Sequence, residues 1–166
     1  MKRALTVTAV LVLAALPWSS AYADQAADRE AIHALMWHYA RALDTLDALA
    51  YAALYTQDGE FSAGGTAVKG RDGLRKMIED LKAGRAEREA KGTPSPAMYH
   101  MTTDAWTEFV DDTHARHHTY WITVFGPAER GGSPNVAAAG RGVDDLVKVN
   151  GEWKIQRRDV APPDER

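Results

Sequence analysis

The sequence predicts an α+β domain, in which helices in the N-terminal half pack against a sheet of long antiparallel strands. Up to about residue 89, apolar residues recur at three- and four-residue spacing, which is typical of helices. From residue 98 onward the pattern becomes strand-like, with turn residues between the predicted strands. A curved sheet wrapped against helices leaves a cavity between the two layers, and such a cavity is the usual place for a small ligand.

The chain begins with a segment typical of an export signal. Lys2 and Arg3 precede an uncharged run over residues 4–16, and Ala21-Tyr22-Ala23 follows as a small-x-small cleavage site. The apolar run is shorter than the roughly 20 residues that a membrane-spanning helix needs. We therefore predict a cleaved signal peptide over residues 1–23 and a periplasmic or secreted protein that is not inserted in the membrane after cleavage.

The remaining chain is long enough for one domain, which we expect over residues 24–161 with a flexible tail at 162–166. Removing Lys2 and Arg3 from the 20 basic residues leaves 18 against 23 acidic ones, a net charge of −5. This acidic balance argues against a nucleic-acid partner. The absence of cysteine excludes disulfides, thiol catalysis and cysteine-ligated metals.

Three helices are predicted. The first begins at Asp28, and its apolar positions extend to Leu43. Asp47 caps a second, short helix that runs through Leu54 and Tyr55. The third runs from about Arg71 to Glu89, and its apolar stripe consists of Leu74, Met77, Ile78 and Leu81.

The predicted strands are separated by recognisable turns. A short strand over residues 60–63 ends at Gly64-Gly65. The longer strands form two hairpins: 98–110 and 113–125 flank Asp111-Asp112, and 136–149 and 152–160 flank Asn150-Gly151. Asn-Gly between two segments of alternating apolar and polar residues is a strong hairpin signal.

Two residues, Asp44 and His100, are candidates for chemistry. Asp44 lies beside the apolar stripe of the first helix, where a carboxylate needs a partner, unless it caps the turn toward Asp47. Strand alternation places His100 on one face with Met98, Thr102, Asp104 and Trp106. The alternative is a core histidine that is satisfied by a backbone carbonyl or by Asp104.

Other arrangements lack the parts that their chemistry needs. His117 and His118 must face opposite sides of one strand, and His114 and His118 are about 13 Å apart along it. Ser62 lacks the preceding glycine of a nucleophile elbow. We therefore predict neither a metal site nor a serine nucleophile.

Four stretches together resemble the SnoaL-like family of the nuclear-transport-factor-two-like superfamily and cover nearly the whole predicted mature chain. They are "HYARALDTLDALAYAALYTQDGEF" (38–61), "VKGRDGLRKMI" (68–78), "MYHMTTDAWTEF" (98–109) and "AAGRGVDDLVKVNGEWKIQRR" (138–158). The resemblance implies a cone of curved antiparallel sheet closed by three helices, often as a homodimer. Family members include scytalone dehydratase, bile-acid dehydratase and lindane dehydrochlorinase.

The resemblance also implies roles for three residues. Asp44 and His100 match the positions of the aspartate and histidine that pair in scytalone dehydratase and lindane dehydrochlorinase. Tyr39 matches the tyrosine spacing of bile-acid dehydratase. The histidine would remove a proton, the aspartate would orient it and stabilise its cation, and the tyrosine would stabilise developing charge. This chemistry is that of a lyase or isomerase, and it requires no metal or organic cofactor.

The substrate is expected to be a small, partly apolar molecule bound by Trp106, Tyr120, Arg141 and Phe61. Alternatively, Arg141 lies on the surface of the sheet and does not bind the substrate. The chain departs from scytalone dehydratase near Phe125, where that enzyme has a second histidine, and near Gly142, where it has an asparagine. The alternative function is a non-catalytic pocket that binds a small ligand or serves as a dimeric assembly module.

Overall fold

The computed structural model describes residues 18–127 and 131–163, with side chains from residue 24 onward. Three helices precede most of a six-stranded sheet, so the predicted α+β class is confirmed. The elements in chain order are α1 (Trp18–Asp44), α2 (Ala48–Ala53), β1 (Tyr55–Ala63), β2 (Thr66–Lys69), α3 (Gly70–Ala90), β3 (Met98–Phe109), β4 (His114–Phe125), β5 (Asn135–Val149) and β6 (Glu152–Asp159).

Helix α1 begins ten residues before the predicted start at Asp28, because the alanine-rich stretch before Asp28 favours a helix. The predicted cleavage point after Ala23 therefore falls inside α1. Residues 1–17 of the predicted signal peptide lie outside the described residues, as do residues 164–166 of the predicted tail. Among the helices that the structure describes, none combines the length and apolar character of a membrane span.

The end of α1 fixes the direction of the chain toward α2. Leu46 adopts a left-handed conformation with φ of 52°, and the amide of Asp47 donates back to the carbonyl of Ala42 at 2.9 Å. These are the features of a Schellman motif, which terminates a helix. Asp47 then caps α2 as predicted, since its side chain accepts from the amide of Ala50 at 3.0 Å. Tyr55, predicted to lie in α2, instead begins β1.

The sheet has the order β2-β1-β6-β5-β4-β3 and remains open, with β2 and β3 at its edges. Both predicted hairpins are present, and Asn150 and Gly151 adopt the positive φ angles that their turn requires. The sheet is not entirely antiparallel, because β1 pairs with β6 in parallel. Strand β2, which the sequence analysis did not predict, follows the Gly64-Gly65 turn and pairs with β1.

One face of the sheet, which we call the inner face, packs against the helices. The core combines buried α1 residues such as Ile32 with Leu146 of β5 and Ile155 of β6. The predicted stripe of α3 is buried at Leu74 and Ile78, but Leu81, just past the middle of the helix, is half-exposed. The opposite side of the sheet is the outer face.

Helix α1 also covers the free edge of β3. The guanidinium of Arg29 donates to the carbonyl of Thr107 at 2.9 Å, and the carboxylate of Asp44 accepts from the amide of His100 at 2.9 Å. The spans between these contacts match, since fifteen helical steps and seven strand steps both cover about 22 Å. The helix therefore runs alongside the edge strand and satisfies backbone groups at both ends of the contact.

Candidate functional site

The contact between α1 and β3 brings Asp44 and His100 together. Asp44 lies in the last turn of α1, and His100 lies on the inner face of β3, opposite Thr123 of β4. The Nδ1 atom of His100 lies 2.8 Å from Oδ1 of Asp44, the same oxygen that accepts from the backbone amide of His100. Because an ionised carboxylate only accepts, Nδ1 carries the proton of this hydrogen bond.

This geometry leaves the other ring nitrogen of His100 as the acceptor. Among the described residues, no group hydrogen-bonds Nε2 of His100, and the side chain is 19% exposed, while that of Asp44 is 8% exposed. Neither alternative from the sequence analysis describes the contact, since Asp44 does not cap the turn and Asp104 is not the partner of His100. The pair is thus a largely buried Asp-His dyad with Nε2 available to a ligand.

The prediction that Trp106 shares the face of His100 is wrong, because β3 contains a bulge. Thr103 lies opposite Tyr120, but Trp106 lies opposite His118, so β3 has one more residue than β4 in this interval. Asp104, with φ of 48°, lies within it. One extra residue reverses the alternation, and Trp106 therefore lies on the outer face, where its ring stacks on that of His118.

The other expected substrate-binding residues do not gather around His100 either. Tyr120 and Arg141 are opposite each other on β4 and β5, and both lie on the outer face with Trp106. These three side chains are among the residues that line an outer pocket of about 190 Å³. Phe61 of β1 is half-buried and packs against the hydrophobic core.

Tyr39 lies in a separate cluster of buried tyrosines. Five residues along a helix change direction by about 140°, so Tyr39 and Asp44 point different ways. The Tyr39 ring contacts that of Tyr51, with centroids 5.4 Å apart, and the hydroxyls of Tyr51 and Tyr55 are 3.0 Å apart. Burial raises the pKa of the Tyr51 and Tyr55 hydroxyls well above the usual value, so both remain protonated.

A buried ion pair, which the sequence analysis did not identify, adjoins the tyrosines. Arg158 of β6 donates to the carboxylate of Asp144 of β5, and its guanidinium lies 4.1 Å from the centre of the Tyr39 ring. Both charged side chains are almost completely buried. Burial raises the pKa of Asp144 to about 6, while the Arg158 guanidinium acts in the opposite direction. Within the described part of the chain, Oδ1 of Asp144 and Nε of Arg158 are buried without a hydrogen-bond partner.

His117 is a further buried ionisable side chain of this region. It lies opposite Asp144 on the inner face, and its Nδ1 is 2.8 Å from the hydroxyl of Thr107. Burial, aided by the positive charge of Arg158, lowers the pKa of His117 to about 4, so the ring is neutral at neutral pH. The alternation of side chains along β4 indicates that His117 faces inward. It does not indicate that charged side chains surround the ring.

A cavity of about 290 Å³ lies between the second half of α3, the loop over residues 92–97 and the end of the sheet, and neither Asp44 nor His100 is among its lining residues. Met98, two residues before His100 on the inner face, forms part of its wall, as does Leu46, two residues after Asp44. Over residues 18–127 and 131–163, no group of three or more histidine or acidic side chains is arranged to hold a metal ion.

Comparison with known proteins identifies the fold. A family model described as a SnoaL-like domain matches residues 24–159. The chain belongs to the SnoaL-like family. The match includes both Asp44 and His100. A search of curated proteins finds no match.

Solved structures of the nuclear-transport-factor-two-like fold resemble this SnoaL-like protein over most of its length. A protein of unknown function from Mycobacterium tuberculosis is 26% identical, with a TM-score of 0.70 over 92% of this chain and 79% of its own. A candidate scytalone dehydratase from Novosphingobium aromaticivorans is 25% identical, with a TM-score of 0.66 over 83% of this chain and 85% of its own. A further protein of that organism, described as nuclear-transport-factor-two-like with a cystatin-like fold, is 21% identical, with a TM-score of 0.72 over 93% and 94%.

Proposed function

We propose that this SnoaL-like protein is a cofactor-independent lyase or isomerase that acts on a small, partly apolar molecule through Asp44 and His100. The observation that carries the proposal is the hydrogen bond of 2.8 Å between Oδ1 of Asp44 and Nδ1 of His100. It fixes the tautomer in which Nε2 is the basic nitrogen, and a positioned imidazole is a suitable general base near neutral pH. The similarity to a candidate scytalone dehydratase supports the same class of reaction.

In the proposed reaction, Nε2 of His100 removes a proton from a carbon next to a carbonyl group of the substrate. The electron pair of the broken C–H bond moves toward the carbonyl oxygen, and the imidazole becomes a cation. The carboxylate of Asp44, held at Nδ1, stabilises that cation. In an elimination, the electron pair returns from the oxygen, the leaving group departs from the neighbouring carbon, and the imidazolium gives its proton to that group, so that a hydroxide leaves as water. In an isomerisation, the imidazolium returns the proton to a different atom of the substrate.

Tyr39, which the family resemblance associates with this chemistry, has no role in the proposed mechanism. Its ring contacts Arg158 and Tyr51 in the core, and its position on α1 directs it away from Asp44. Tyr39 instead packs in the hydrophobic core. Its replacement by Phe is expected to change stability more than it changes the rate of proton removal.

The proposal is tested on the ligand that co-purifies with the protein, identified by native mass spectrometry. Proton NMR in D₂O then follows exchange of the activated C–H and formation of product. We expect His100→Ala to slow both by about 10²–10⁴-fold, the usual contribution of a general base. His114→Ala, at an exposed position on β4, serves as the control and should retain activity. Unchanged turnover by His100→Ala would remove the dyad from the mechanism.

The outer face supports a second proposal, that two copies of the chain associate through it. Exposed apolar side chains are concentrated on the outer face of β3, β4 and β5, and they include Tyr99, Met101, Trp106, Tyr120 and Val136. Contiguous exposed apolar surface is typical of protein interfaces. Light scattering after size-exclusion chromatography should give a dimer mass for the wild type and a monomer mass for Trp106→Glu. A monomeric wild type would contradict the proposal.

Export of the protein is a third proposal, and it rests on the sequence of residues 1–23. The first described side-chain contact between α1 and the sheet is the hydrogen bond from the indole of Trp153 to Asp28. Asp28 follows the predicted cleavage point, so this contact would be kept in the mature chain. Mass spectrometry of the extracytoplasmic fraction should find a mature chain that begins at Asp24. Recovery of the full-length chain in the cytoplasm would contradict export.

A further inference from the structure

We propose that the cavity beside α3, which we call the α3 pocket and whose wall includes Leu46 and Met98 but neither dyad residue, binds a small carboxylate with an apolar body. This inference rests on the proposed function in one respect, because it assigns the substrate class to the dyad. The pocket is lined by two arginines, one serine and several apolar side chains: Leu46, Leu81, Arg85, Arg88, Pro94, Ser95, Pro96, Met98 and Phe125. Its volume of about 290 Å³ is at the lower end of the range for small-molecule sites.

The two arginines give the pocket its preference for an anion. Arg85 is positioned by its neighbours, since Nε contacts the carboxylate of Glu89 at 3.1 Å and Nη2 donates to the carbonyl of Ser95 at 3.2 Å. Arg88, one turn further along α3, makes no ion pair with another residue in the described part of the chain. A guanidinium presents paired N–H groups that match the two oxygens of a carboxylate.

Ser95 adds a polar group at the same place. Its hydroxyl oxygen is buried, and no described residue hydrogen-bonds it. Buried polar atoms normally have a partner, so this hydroxyl is suited to a polar atom of a ligand. Its loop is tied to α3 through the bond from Arg85 to the Ser95 carbonyl, which keeps the hydroxyl close to the guanidinium.

The apolar part of the ligand follows from the remaining walls. Leu81 is 49% exposed although it belongs to the apolar stripe of α3, and Met98 and Phe125 face it from the end of the sheet. A ligand in the pocket would cover Leu81. Because Met98 occupies the inward-facing position next to His100 on β3, the apolar body would extend from the arginines toward the dyad. A carboxylate at one end and a reactive carbon at the other fit this arrangement.

The probe for the test is 3-phenylpropionate, and its neutral counterpart is 3-phenylpropanamide. Binding is measured by isothermal titration calorimetry on His100→Ala protein, so that the result does not depend on turnover. We expect the carboxylate to bind at least tenfold more tightly than the amide. The double variant Arg85→Gln/Arg88→Gln should abolish this preference, whereas Arg75→Gln, at an exposed position of α3 that pairs with Glu79, should preserve it.

A second variant tests the place of binding without removing charge. Leu81→Trp changes a half-exposed residue and fills the pocket, so it should weaken binding of both probes at least tenfold while the protein remains folded. Equal affinity for the acid and the amide, or unchanged binding by Arg85→Gln/Arg88→Gln, would overturn the inference. If the wild-type protein binds the carboxylate but turns over no substrate, the proposed reaction is overturned and the assignment of the pocket is not.

Discussion

One oxygen of Asp44 holds both the backbone amide and the ring of His100. The two donors lie 2.9 Å and 2.8 Å from Oδ1, and the carboxylate is in the last turn of α1. A single acceptor thus connects a helix end to an edge strand and fixes the imidazole orientation at the same time. Any change at Asp44 is therefore expected to affect stability and the histidine tautomer together.

Asp44→Ala should lower the free energy of unfolding by about 1–3 kcal/mol, because the buried donors on His100 lose their acceptor. Nitrogen NMR of the imidazole should show a larger population of the tautomer protonated on Nε2. Asp47→Ala is the matched control, since it removes the cap of α2 and should reduce stability by about 1 kcal/mol. It should leave the His100 tautomer unchanged, and an altered tautomer in both variants would contradict the prediction.

Arg158→Met should be far more destabilising than Arg157→Gln, although the two residues are adjacent. Arg158 is buried against Asp144, and its loss leaves a carboxylate unpaired in the core, which typically costs about 3–5 kcal/mol. Arg157 is half-exposed beside Glu60 and Asp159, so the change should be below about 1 kcal/mol. Chemical denaturation measures both. If the two variants lose similar amounts of unfolding free energy, the buried Arg158–Asp144 pair stabilises the fold no more than the exposed contacts of Arg157.

Acid should destabilise the protein through His117. The unfolded chain binds a proton on this histidine below about pH 6.5, whereas the folded protein does so only below its lowered pKa of about 4. The contribution of His117 to the free energy of unfolding therefore falls by at most about 3 kcal/mol as the pH decreases from 6.5 to 4, whereas Asp144, whose pKa is raised to about 6, binds its proton more readily in the folded protein and offsets part of this loss.

The measurement for His117 is urea denaturation at a series of pH values between 4 and 7. His117→Gln should remove this contribution, so acidification from pH 7 to 4 should lower the free energy of unfolding less in the variant than in the wild type, or raise it through Asp144. His38→Gln changes an exposed histidine of α1 and should retain the slope of the wild type. An unchanged slope in His117→Gln would assign the acid sensitivity to other groups.

Gly140→Ala should be poorly tolerated because the indole of Trp121 lies directly on this glycine. An added Cβ would be 2.7 Å from Cζ2 and 2.9 Å from Cε2 of the indole. The ring has little freedom to move, since its N–H donates to the carbonyls of both Arg141 and Val160 at 3.0 Å. We expect a loss of about 1–3 kcal/mol from the overpacking.

A double-mutant cycle identifies the cause of that loss. In a Trp121→Ala background, the space above residue 140 is empty, so Gly140→Ala should have a much smaller effect on the unfolding free energy. Equal effects in both backgrounds would indicate that the indole is not the obstacle.

Much of the fold could be predicted from the sequence because its signals are local. The Asn150-Gly151 turn, the cap at Asp47 and the apolar stripe of α3 each depend on neighbouring residues, and each is present. The Asp-His contact required more, since α1 and β3 are far apart in the chain. It was suggested by matching positions in a known family, and periodicity alone left other partners open.

One wrong prediction, the face of Trp106, and one omission, the burial of Arg158, arose where a strand gains one residue. The bulge near Asp104 transfers Trp106 to the outer face, and an irregularity between Ile155 and Arg157 directs Arg158 into the core. Simple alternation assigns both residues to the wrong side. Such insertions depend on how two strands pair, so they cannot be recognised from the residues of one strand.

The cover that α1 provides for β3 has a consequence for aggregation. A strand of twelve residues at the border of an open sheet is a template on which another chain can add. Arg29 and Asp44 occupy main-chain groups at its two ends, and the bulge interrupts the ladder between them. Detachment of this helix, rather than complete unfolding, would therefore be the first step toward fibril-like stacking of this protein.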